Sequence, residues 1–576
     1  MPRRTSLAGG KRAAPAEFAV SPAGEKFALP APKDYAAEFK RVEALVAGAR
    51  ARGQEVVVVM GLGFVGAVMA AIVADTVDRK TGRPSKFVIG CQRPSTRSFW
   101  KIPLLNRGVS PVKAEDPEVA PLVARCVLEK KTLTATFNND CLGMADCVVV
   151  DVQCDYVKEE LGNLATGETD MQALEATLRT IGQKIPPKAL VLIETTVAPG
   201  TTEFVAWPIL RKAFAARAIR SEPILAHSFE RVMPGRNYVA SIRDFWRVCA
   251  GCNEPARRRV VKFLHEVLNT RDYPLTVMDR PIESETTKIV ENSYRATILA
   301  FLDEWSTFAE RNGVDLIKVI DAIKLRPTHS NIIFPGPGIG GYCLPKDGAL
   351  GAWSYKHLLG FQDRLFKLTT AAIDINDTRA LRVAELARDA LRNMGRHVAG
   401  ADVLVCGASY REDVGDTRYS GSEIVVRKLT EMGAQLRVHD PYVDHWYEFE
   451  AQDTYPATGQ SWARYFRGQD EMNSLRVQKD LRAAVRSVEC VILAVRHAPY
   501  LNLDPDDLVG WAGGPLAVID CFGILSDEKI RRYFELGCEV KALGRGHMKR
   551  IKDAVAAGRA TGRPGRSGSG RKPRSG

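Results

Sequence analysis

The stretch QEVVVVMGLGFVG, residues 54–66, decides the fold of the first half of the chain. Its run of β-branched residues predicts a buried strand, and the following segment AVMAAIVADTV has helical character. Between them, Gly61, Gly63 and Gly66 form a G-x-G-x-x-G pattern. This order of strand, glycine turn and helix suits a dinucleotide pyrophosphate, because the backbone approaches the phosphates closely and a helix N-terminus faces them. The stretch therefore predicts a dinucleotide-binding turn.

Strand and helix signals alternate along the rest of the chain. On the N-terminal side, strands are predicted at KFVIGC, ADCVVVDV and ALVLIETT. After residue 400, strands return at ADVLVCGASY, AQLRVHDPYV, VECVILAVRH and LAVIDCFG. Helical runs at about 283–322 and 363–394 separate the two groups. This pattern predicts an α/β protein with two Rossmann-like parallel-sheet domains joined by a long central helical region.

Composition excludes several classes of protein. Of the 576 residues, 45% are hydrophobic and 26% are charged, as in globular proteins. No apolar run approaches the roughly 20 residues that span a bilayer, and the N-terminus lacks a continuous apolar segment. We therefore predict a cytoplasmic protein with no membrane partner. The twelve cysteines are irregularly spaced, and the pair Cys249 and Cys252 has no nearby histidines, so we expect neither a disulfide framework nor a metal site.

The basic charge of the chain is confined to its two ends. Residues 1–13 carry +4 and residues 545–576 carry +9, which accounts for the net charge of +13. The second segment ends in GRPGRSGSGRKPRSG, whose glycine, serine, proline and charge cannot build a core. We interpret the ends as solvated, disordered tails and expect no nucleic-acid partner. A polyanion-binding arm is the alternative.

The segment GPGIGGYCLPKD, residues 336–347, places Cys343 among glycines rather than in an apolar run. Glycines let backbone or ligand approach closely. Lys346 and Asp347 follow on the same short segment, and a nearby ammonium favours the thiolate form of a cysteine. The segment therefore predicts a reactive cysteine.

Several separated segments, from about residue 54 to 545, resemble the UDP-glucose/GDP-mannose dehydrogenase family. The motifs are GLGFVG at the turn, ETTVAPGTT (194–202), SFERVMPGR (228–236), TKIVEN (287–292), GPGIGGYCLPKD (336–347) and GASYREDVGDTR (407–418). Their order and spacing fit the family. The resemblance implies two successive hydride transfers that convert the C6 hydroxyl of a nucleotide sugar to a carboxylate.

The resemblance also implies a division of the chain. The predicted regions are a disordered N-terminal extension with a lead-in helix (1–50), an NAD(P)-binding Rossmann domain (51–250), a central helical dimerisation domain with the cysteine loop (251–395), a nucleotide-sugar-binding domain (396–550) and a basic disordered tail (551–576). A Trp- and Tyr-rich insertion is predicted near 444–473. A homodimer or a higher homo-oligomer is expected.

Catalytic roles follow from the matching motif positions. Cys343 is the expected nucleophile, which traps an aldehyde as a thiohemiacetal and then forms a thioester. Lys288 and Asn292 lie four residues apart, on one face of a predicted helix, and would stabilise the developing oxyanion. Asp347, favoured as base, and Thr196 would hold or activate the catalytic water.

Glu230 takes the remaining catalytic position, where it would assist thioester hydrolysis or proton transfer. Taken alone, a Lys and Asn pair at this spacing is usually a solvated helix face, and a single Asp or Glu is usually a surface charge. Only their joint occurrence with the dinucleotide turn supports the catalytic interpretation.

The cofactor is predicted to be NAD, with NADP as the alternative. The family has an acidic residue after the second strand that binds the adenosine ribose, but this chain has Gln92 and then Arg93, with Arg97 nearby. The lost carboxylate removes repulsion of a 2′-phosphate. The predicted cofactor-binding residues are Gly61, Leu62, Gly63, Phe64, Val65, Gly66, Gln92, Arg93, Thr195, Lys346 and Arg418.

Further departures from the family pattern put the sugar in question. VQCDY replaces a V-P-T-P segment, Phe229 replaces a proline, and His329 lies where many relatives have an arginine that crosses the dimer. The predicted substrate-binding residues are Glu230, Lys288, Asn292, His329, Gly338, Gly340, Tyr410 and Arg411. ERVMPGR and PGPGIGGYC favour UDP-GlcNAc or UDP-ManNAc. The alternatives are UDP-glucose, or a protein that binds nucleotide sugars without catalysis.

Overall fold

The computed structural model of the chain describes residues 17–233, 235–450 and 461–560. The predictions for residues 1–16, for 561–576 and for the middle of the insertion lie outside these ranges. Within them, none of the helices combines the length and the apolar character that crossing a membrane requires.

The N-terminal half is built on an eight-stranded sheet. A small hairpin, β1 (Phe18–Val20) and β2 (Lys26–Ala28), precedes it. The following strands are β3 (Glu55–Met60), β4 (Lys86–Cys91), β5 (Leu133–Thr136), β6 (Cys147–Val150), β7 (Asp155–Val157), β8 (Glu168–Asp170), β9 (Leu190–Ile193), β10 (Ile224–His227), β11 (Val248–Gly251) and β12 (Thr276–Val277). The sheet order is β12-β11-β10-β9-β6-β3-β4-β5, and β7 and β8 form a separate hairpin.

Helices cover both faces of this sheet. They are α1 (Asp34–Ala51), α2 (Phe64–Asp75), α3 (Lys101–Asn106), α4 (Val119–Ala124), α5 (Gln172–Lys184), α6 (Trp207–Ala216), α7 (Tyr238–Arg243) and α8 (Glu254–Val267). Side chains alternate across a strand, so Val56 and Val58 enter one core cluster while Val57 and Val59 enter the other. Burial on both faces explains the uninterrupted apolar run before the glycine turn.

Strand direction differs from the prediction at one edge of the sheet. Six neighbouring strands of the sheet, β5, β4, β3, β6, β9 and β10, are parallel, as predicted. At the edge, β11 pairs antiparallel with β10, and β12 pairs parallel with β11. The loop after β10 returns at the same edge of the sheet, so β11 starts where β10 ends. This reversal brings Arg247, which precedes β11, to the edge that carries the ends of the parallel strands.

The central region consists of α9 (Pro281–Asn312), α10 (Leu316–Lys324), α11 (Asp347–His357) and α12 (Leu368–Asn393). The predicted helical run at 283–322 is two helices, because Gly313 ends α9 with a positive φ of 69°. Glu283 caps the start of α9, where Pro281 occupies the first turn.

The C-terminal half contains the second predicted sheet. Its strands are β13 (Asp402–Cys406), β14 (Gln435–His439), β15 (Val477–Gln478), β16 (Cys490–Leu493), β17 (Ala517–Asp520) and β18 (Glu539–Ala542), all parallel in the order β15-β14-β13-β16-β17-β18. The helices are α13 (Gly421–Glu431), α14 (Leu481–Val485), α15 (Ala498–Leu501), α16 (Pro505–Ala512), α17 (Asp527–Glu535) and α18 (Met548–Ala560). The predicted fold class, two α/β domains and a helical connection, is confirmed.

The described flanks of the predicted insertion pack into this second domain. Trp446 and Phe449 on one flank and Trp462 on the other are buried in its core. The Tyr465 hydroxyl donates a 2.6 Å hydrogen bond to the carbonyl of Lys158, just after β7. The second flank therefore connects the two α/β domains.

Candidate active site

The glycine turn between β3 and α2 has the geometry predicted for a dinucleotide. Gly61 has a φ of 99°, which side chains rarely adopt. A Cβ on Gly66 would lie 2.0 Å from the Gly61 carbonyl oxygen, so the turn requires glycine there. Around Gly63, by contrast, no heavy atom lies within 4 Å of a Cβ position. The turn is therefore tightly packed at Gly61 and Gly66 and has open space at Gly63, where a pyrophosphate could bind.

Neighbouring side chains hold this turn in place. The Leu62 amide donates a 2.8 Å hydrogen bond to Gln92 Oε1, so Gln92 supports the turn. The Tyr238 hydroxyl donates to the Phe64 carbonyl, and the two rings stack with centroids 4.6 Å apart. Arg418 of the C-terminal domain lies 5.0 Å above the Phe64 ring. The predicted cofactor residues Phe64 and Arg418 are thus brought together across the domains.

The cysteine loop lies between the same two domains. Gly338 has a φ of 134°, and a Cβ there would lie 2.9 Å from the Asn376 carbonyl oxygen. A Cβ on Gly340 would lie 2.3 Å from that of Tyr410. The Gly341 amide donates a 2.8 Å hydrogen bond to the Arg418 carbonyl. Gly340 and Gly341 therefore let the loop pack directly on the C-terminal domain, and Gly338 lets it pack on α12.

The end of this loop forms the first turn of α11. The backbone amide of Asp347 donates a 2.9 Å hydrogen bond to the Cys343 carbonyl. Lys346 is buried, and its ammonium donates to the Cys154 carbonyl at 3.1 Å and to Asp347 at 3.2 Å. The same ammonium lies 4.5 Å from the centre of the Tyr342 ring. Lys346 therefore fixes the loop to the segment after β6.

Charged groups from three segments surround the half-buried Cys343. Burial, with the negative charge of Asp347, raises the pKa of this thiol to about 11. Lys288 and Lys346 act in the opposite direction and favour the thiolate, as the sequence predicts, but they do not outweigh burial. Without ligands the cysteine is therefore a protonated thiol near neutral pH.

Lys288 and Asn292 lie on one face of α9, as predicted. Asn292 Nδ2 donates a 2.6 Å hydrogen bond to Asp347 Oδ2. Lys288 is buried, its ammonium donates to the Glu230 carbonyl at 2.9 Å, and it lies 3.7 Å from the Glu230 carboxylate. Burial alone would lower the pKa of Lys288, but the negative charges of Glu230 and Asp347 raise it. Five of the six predicted catalytic residues thus form one cluster.

Phe229, a departure from the family pattern, is part of this cluster. Its side chain is fully buried after β10, and the Lys288 ammonium lies 5.5 Å from the centre of its ring. The aromatic face attracts the cation. Phe229 therefore supports Lys288.

The remaining predicted residues lie at varying distances from the cluster. Thr195 and the buried Thr196 follow β9 at the carboxyl edge of the sheet. Arg411 has a 38% exposed side chain, 3.8 Å from Glu412. His329 lies on a short turn after α10, and its described side-chain contact is with Thr328. Its predicted role receives no support from contacts within this chain.

Sequence reasoning missed four residues that support the site. Tyr238 holds the glycine turn, and Asp151 forms a polar group beneath it with the buried Glu194 and Arg247. Both carboxylates directly follow buried strands, which is a detectable signal. No signal in the sequence indicates the role of Tyr238, because that role depends on the packing of α7 against α2.

Among the described residues, one cluster has ligand types that suit a metal ion: Asp315, Asp527 and His547. The Arg545 guanidinium already lies 3.1 Å from Asp527 and 3.6 Å from Asp315. We interpret this group as an ion-pair network that joins α10 to the C-terminal domain.

Comparison with known proteins agrees with this arrangement. The chain matches the UDP-glucose/GDP-mannose dehydrogenase family in its NAD binding domain (55–269), its central domain (282–378) and its UDP binding domain (404–527). It is 30% identical to a UDP-N-acetyl-D-mannosamine dehydrogenase of Pyrococcus horikoshii, over 49% of this chain and 63% of that one.

Two further similarities cover more of the chain. A UDP-N-acetyl-D-mannosamine dehydrogenase of Methanocaldococcus jannaschii is 27% identical over 62% of this chain and 69% of its own length. A crystal structure of the NDP-N-acetyl-D-galactosaminuronic acid dehydrogenase from Methanosarcina mazei has a TM-score of 0.67 and 26% identity, covering 88% of this chain and 98% of that one.

Proposed function

Because this chain belongs to the UDP-glucose/GDP-mannose dehydrogenase family, we propose that it oxidises the C6 hydroxyl of a nucleotide sugar to a carboxylate. The observation that carries the proposal is the position of Cys343. It lies with Lys288, Asn292, Asp347 and Glu230 in one charged cluster, on a loop that also contacts the domain facing the dinucleotide turn.

NAD is the proposed cofactor, held by the glycine turn of β3 and α2. The turn supplies backbone amides and space above Gly63, and Gln92 and Arg418 lie beside it, with Arg93 next to Gln92 in the chain. The chemistry that NAD supplies when bound is acceptance of a hydride, once for each of two oxidations. NADP is the alternative, because Gln92 provides no carboxylate to repel a 2′-phosphate.

Cys343 links the two oxidations. Loss of a hydride from the sugar C6 carbon and of a proton from its hydroxyl group gives an aldehyde. The Cys343 sulfur adds to the aldehyde carbon and the thiol proton ends on the aldehyde oxygen, which gives a thiohemiacetal. Loss of the second hydride and of that hydroxyl proton gives a thioester. Water then adds, the carbon–sulfur bond breaks, and a carboxylate and the free thiol result.

The neighbouring groups stabilise the charges of this sequence. Lys288 and Asn292 would stabilise the oxyanion that develops on the sugar C6 oxygen. Asp347 would take a proton from the attacking water, with Thr196 positioning it, and Glu230 would assist proton transfer. The buried ion pair of Lys288 and Glu230 keeps the ammonium charged and fixed.

The proposed substrates are UDP-GlcNAc and UDP-ManNAc. The motifs ERVMPGR and PGPGIGGYC support this class, and so do relatives whose names specify UDP-N-acetyl-D-mannosamine. Gly340 and Tyr410 meet where the loop contacts the UDP binding domain, and together with Gly338 and Arg411 they would contact the nucleotide sugar. UDP-glucose is the alternative substrate.

A substrate panel tests this function. The purified chain is incubated with UDP-GlcNAc, UDP-ManNAc, UDP-glucose or GDP-mannose and with NAD or NADP, and reduced cofactor is counted per sugar consumed. Two reduced cofactors per sugar support the proposal. Tight sugar-nucleotide binding without turnover by any pair would instead indicate a binding protein.

We expect Gln92→Glu to shift cofactor preference toward NAD. The new carboxylate can still accept from the Leu62 amide but repels a 2′-phosphate, so the kcat/KM ratio for NADP over NAD should fall by about tenfold or more. Gln92→Ala, which removes the acceptor without adding charge, is the control. An unchanged ratio in the glutamate variant would contradict the placement of Gln92 at the adenosine ribose.

We propose that the chain forms a homodimer through α9. Five apolar side chains on one face of this helix are about half exposed: Val290 (60%), Tyr294 (54%), Phe301 (52%), Trp305 (45%) and Phe308 (49%). A long apolar stripe of this kind on a helix marks an association surface. A second copy of the chain, presenting the same stripe, would bury it on both sides.

Dimer formation is tested with the variant Phe301→Glu/Trp305→Glu. Burying two carboxylates at the contact should weaken association roughly 30-fold or more, so light scattering should give the monomer mass. Leu128→Glu replaces an exposed apolar residue of the N-terminal domain and should leave the mass unchanged. A dimer that survives the α9 substitutions would place the interface elsewhere.

A further inference from the structure

Two carboxylates meet beneath the dinucleotide turn. Asp151 directly follows β6 and Glu194 directly follows β9. These strands pair in parallel with Val150 opposite Ile193, so the two acids occupy equivalent positions at the carboxyl edge of the sheet. The Glu194 amide donates a 3.1 Å hydrogen bond to the Val150 carbonyl. Strand register therefore places the two side chains next to each other.

The hydrogen bonds of this pair are incomplete unless a proton is present. Glu194 is fully buried, and its Oε1 accepts from Arg247. In the described part of the chain, Glu194 Oε2 and Asp151 Oδ2 are enclosed atoms without a hydrogen-bond partner. A side-chain hydrogen bond joins the two groups only when one of them carries the proton. One shared proton therefore satisfies both oxygens.

The surrounding charges also favour one proton on the pair. Arg247 balances one carboxylate, and Lys288 is already paired with Glu230, the third acid that acts on this group. His227 is buried at the end of β10, and burial lowers its pKa to about 3, so it stays neutral. Tyr238 faces the group from α7, and Arg418 of the C-terminal domain, which lies near Tyr238, is already paired with Asp416 at 2.6 Å. Two ionised carboxylates would leave a buried negative charge without a counterion.

Asp151 is in direct contact with the turn that would hold the phosphates. Its amide donates to the Met60 carbonyl at 2.9 Å, and its carbonyl oxygen lies 2.6 Å from the Cβ position of Gly61. Its Oδ2 lies 3.1 Å from the Cβ position of Gly66. A negative charge on the Asp151 side chain therefore acts electrostatically on the phosphate-binding turn.

We propose that Asp151 and Glu194 share one proton, and that tight binding of the dinucleotide requires this proton. The inference rests on the proposed function, since it takes the turn to be the cofactor site. Asp151 and Glu194 are positioning residues that act through the turn. Loss of the proton to solvent adds a negative charge beneath the pyrophosphate and weakens binding.

The directions of the pKa values agree with this assignment. Burial, with the charge of the other acid, raises the pKa of both Asp151 and Glu194. A bound pyrophosphate raises the pKa of the pair further. The contribution of the shared proton to dinucleotide binding is therefore fully present below the pKa of the pair in the free protein. It is lost as the pH rises through the pKa of the pair in the complex.

The test measures binding of NADH and NADPH to the full chain by fluorescence between about pH 6 and pH 10. For wild type, we expect the Kd to rise about tenfold with pH, beyond any change in a control. Asp151→Asn and Glu194→Gln each replace the shared proton with an amide donor. Both should bind like wild type at low pH and keep that affinity at high pH. Asp146→Asn, at the opposite end of β6, should retain the wild-type profile.

Four results would overturn the inference. A flat wild-type profile, or amide variants with the wild-type slope, would show that no shared proton controls binding. If an amide variant does not fold, the infrared band of a protonated carboxyl group in wild type decides, and its absence overturns the proposal. Failure of both dinucleotides to bind wild type at any pH would contradict the proposed function itself, and this inference with it.

Discussion

Cys343→Ala is expected to lower the rate of carboxylate formation by on the order of 10³-fold or more. Without the sulfur, the aldehyde has no covalent partner, so the second oxidation loses its route. The measurement is the number of reduced cofactors per sugar consumed, beside single-turnover detection of a covalent sugar adduct by mass spectrometry. In wild type we expect two reduced cofactors and an adduct at Cys343.

Cys252→Ala is the matched control, because Cys252 is also partly accessible but lies at the end of β11, outside the charged cluster. It should keep wild-type stoichiometry. Full four-electron oxidation by Cys343→Ala would rule out the thioester route but would not contradict the proposed dehydrogenase activity.

Lys288→Met should lower kcat by about 10²–10³-fold with a smaller change in KM. Methionine keeps the length of the buried side chain but removes the only cation that faces both Glu230 and Cys343 from α9 among the described residues. The oxyanion then loses its stabilising charge. The substitution also leaves Glu230 buried near Cys343 without its partner, which further raises the pKa of the thiol.

Steady-state kinetics with the best sugar of the panel measure this effect, and NADH binding shows whether the cofactor site is intact. Lys318→Met is the control, since Lys318 is an exposed lysine of α10 that pairs with Asp527 at 2.7 Å and lies outside the charged cluster. A Lys288 variant with wild-type kcat would show that the cation is structural and that another group stabilises the oxyanion.

The departures from the family pattern differ in their consequences. Phe229 lies against the Lys288 ammonium, so a proline is replaced by a residue that supports the same site. Gln92 still binds the turn through Leu62, although it cannot repel a phosphate. We therefore expect these changes to affect cofactor and sugar preference rather than the reaction.

Much of the fold was predictable because its signals are local. The apolar run of β3 is buried on both faces of the sheet, and the glycines of the turn occupy backbone positions that a Cβ would block. The spacing of Lys288 and Asn292 by four residues specified one helix face before α9 was known. The break at Gly313 was also a local signal, which the prediction of one run at 283–322 overlooked.

Contacts between distant segments could not be predicted from local sequence signals. The reversal of β11 brings Arg247 to Glu194, and strand register brings Asp151 to the same point, from positions far apart in the chain. The pKa of Cys343 is a further case: adjacent Lys346 predicts a thiolate, but burial between domains outweighs it. Charge and glycine patterns act over a few residues, whereas burial and long-range pairing arise only when the sheets and α9 pack together. The amino-acid order thus specified the elements and the reacting groups, and tertiary packing decided their protonation and their partners.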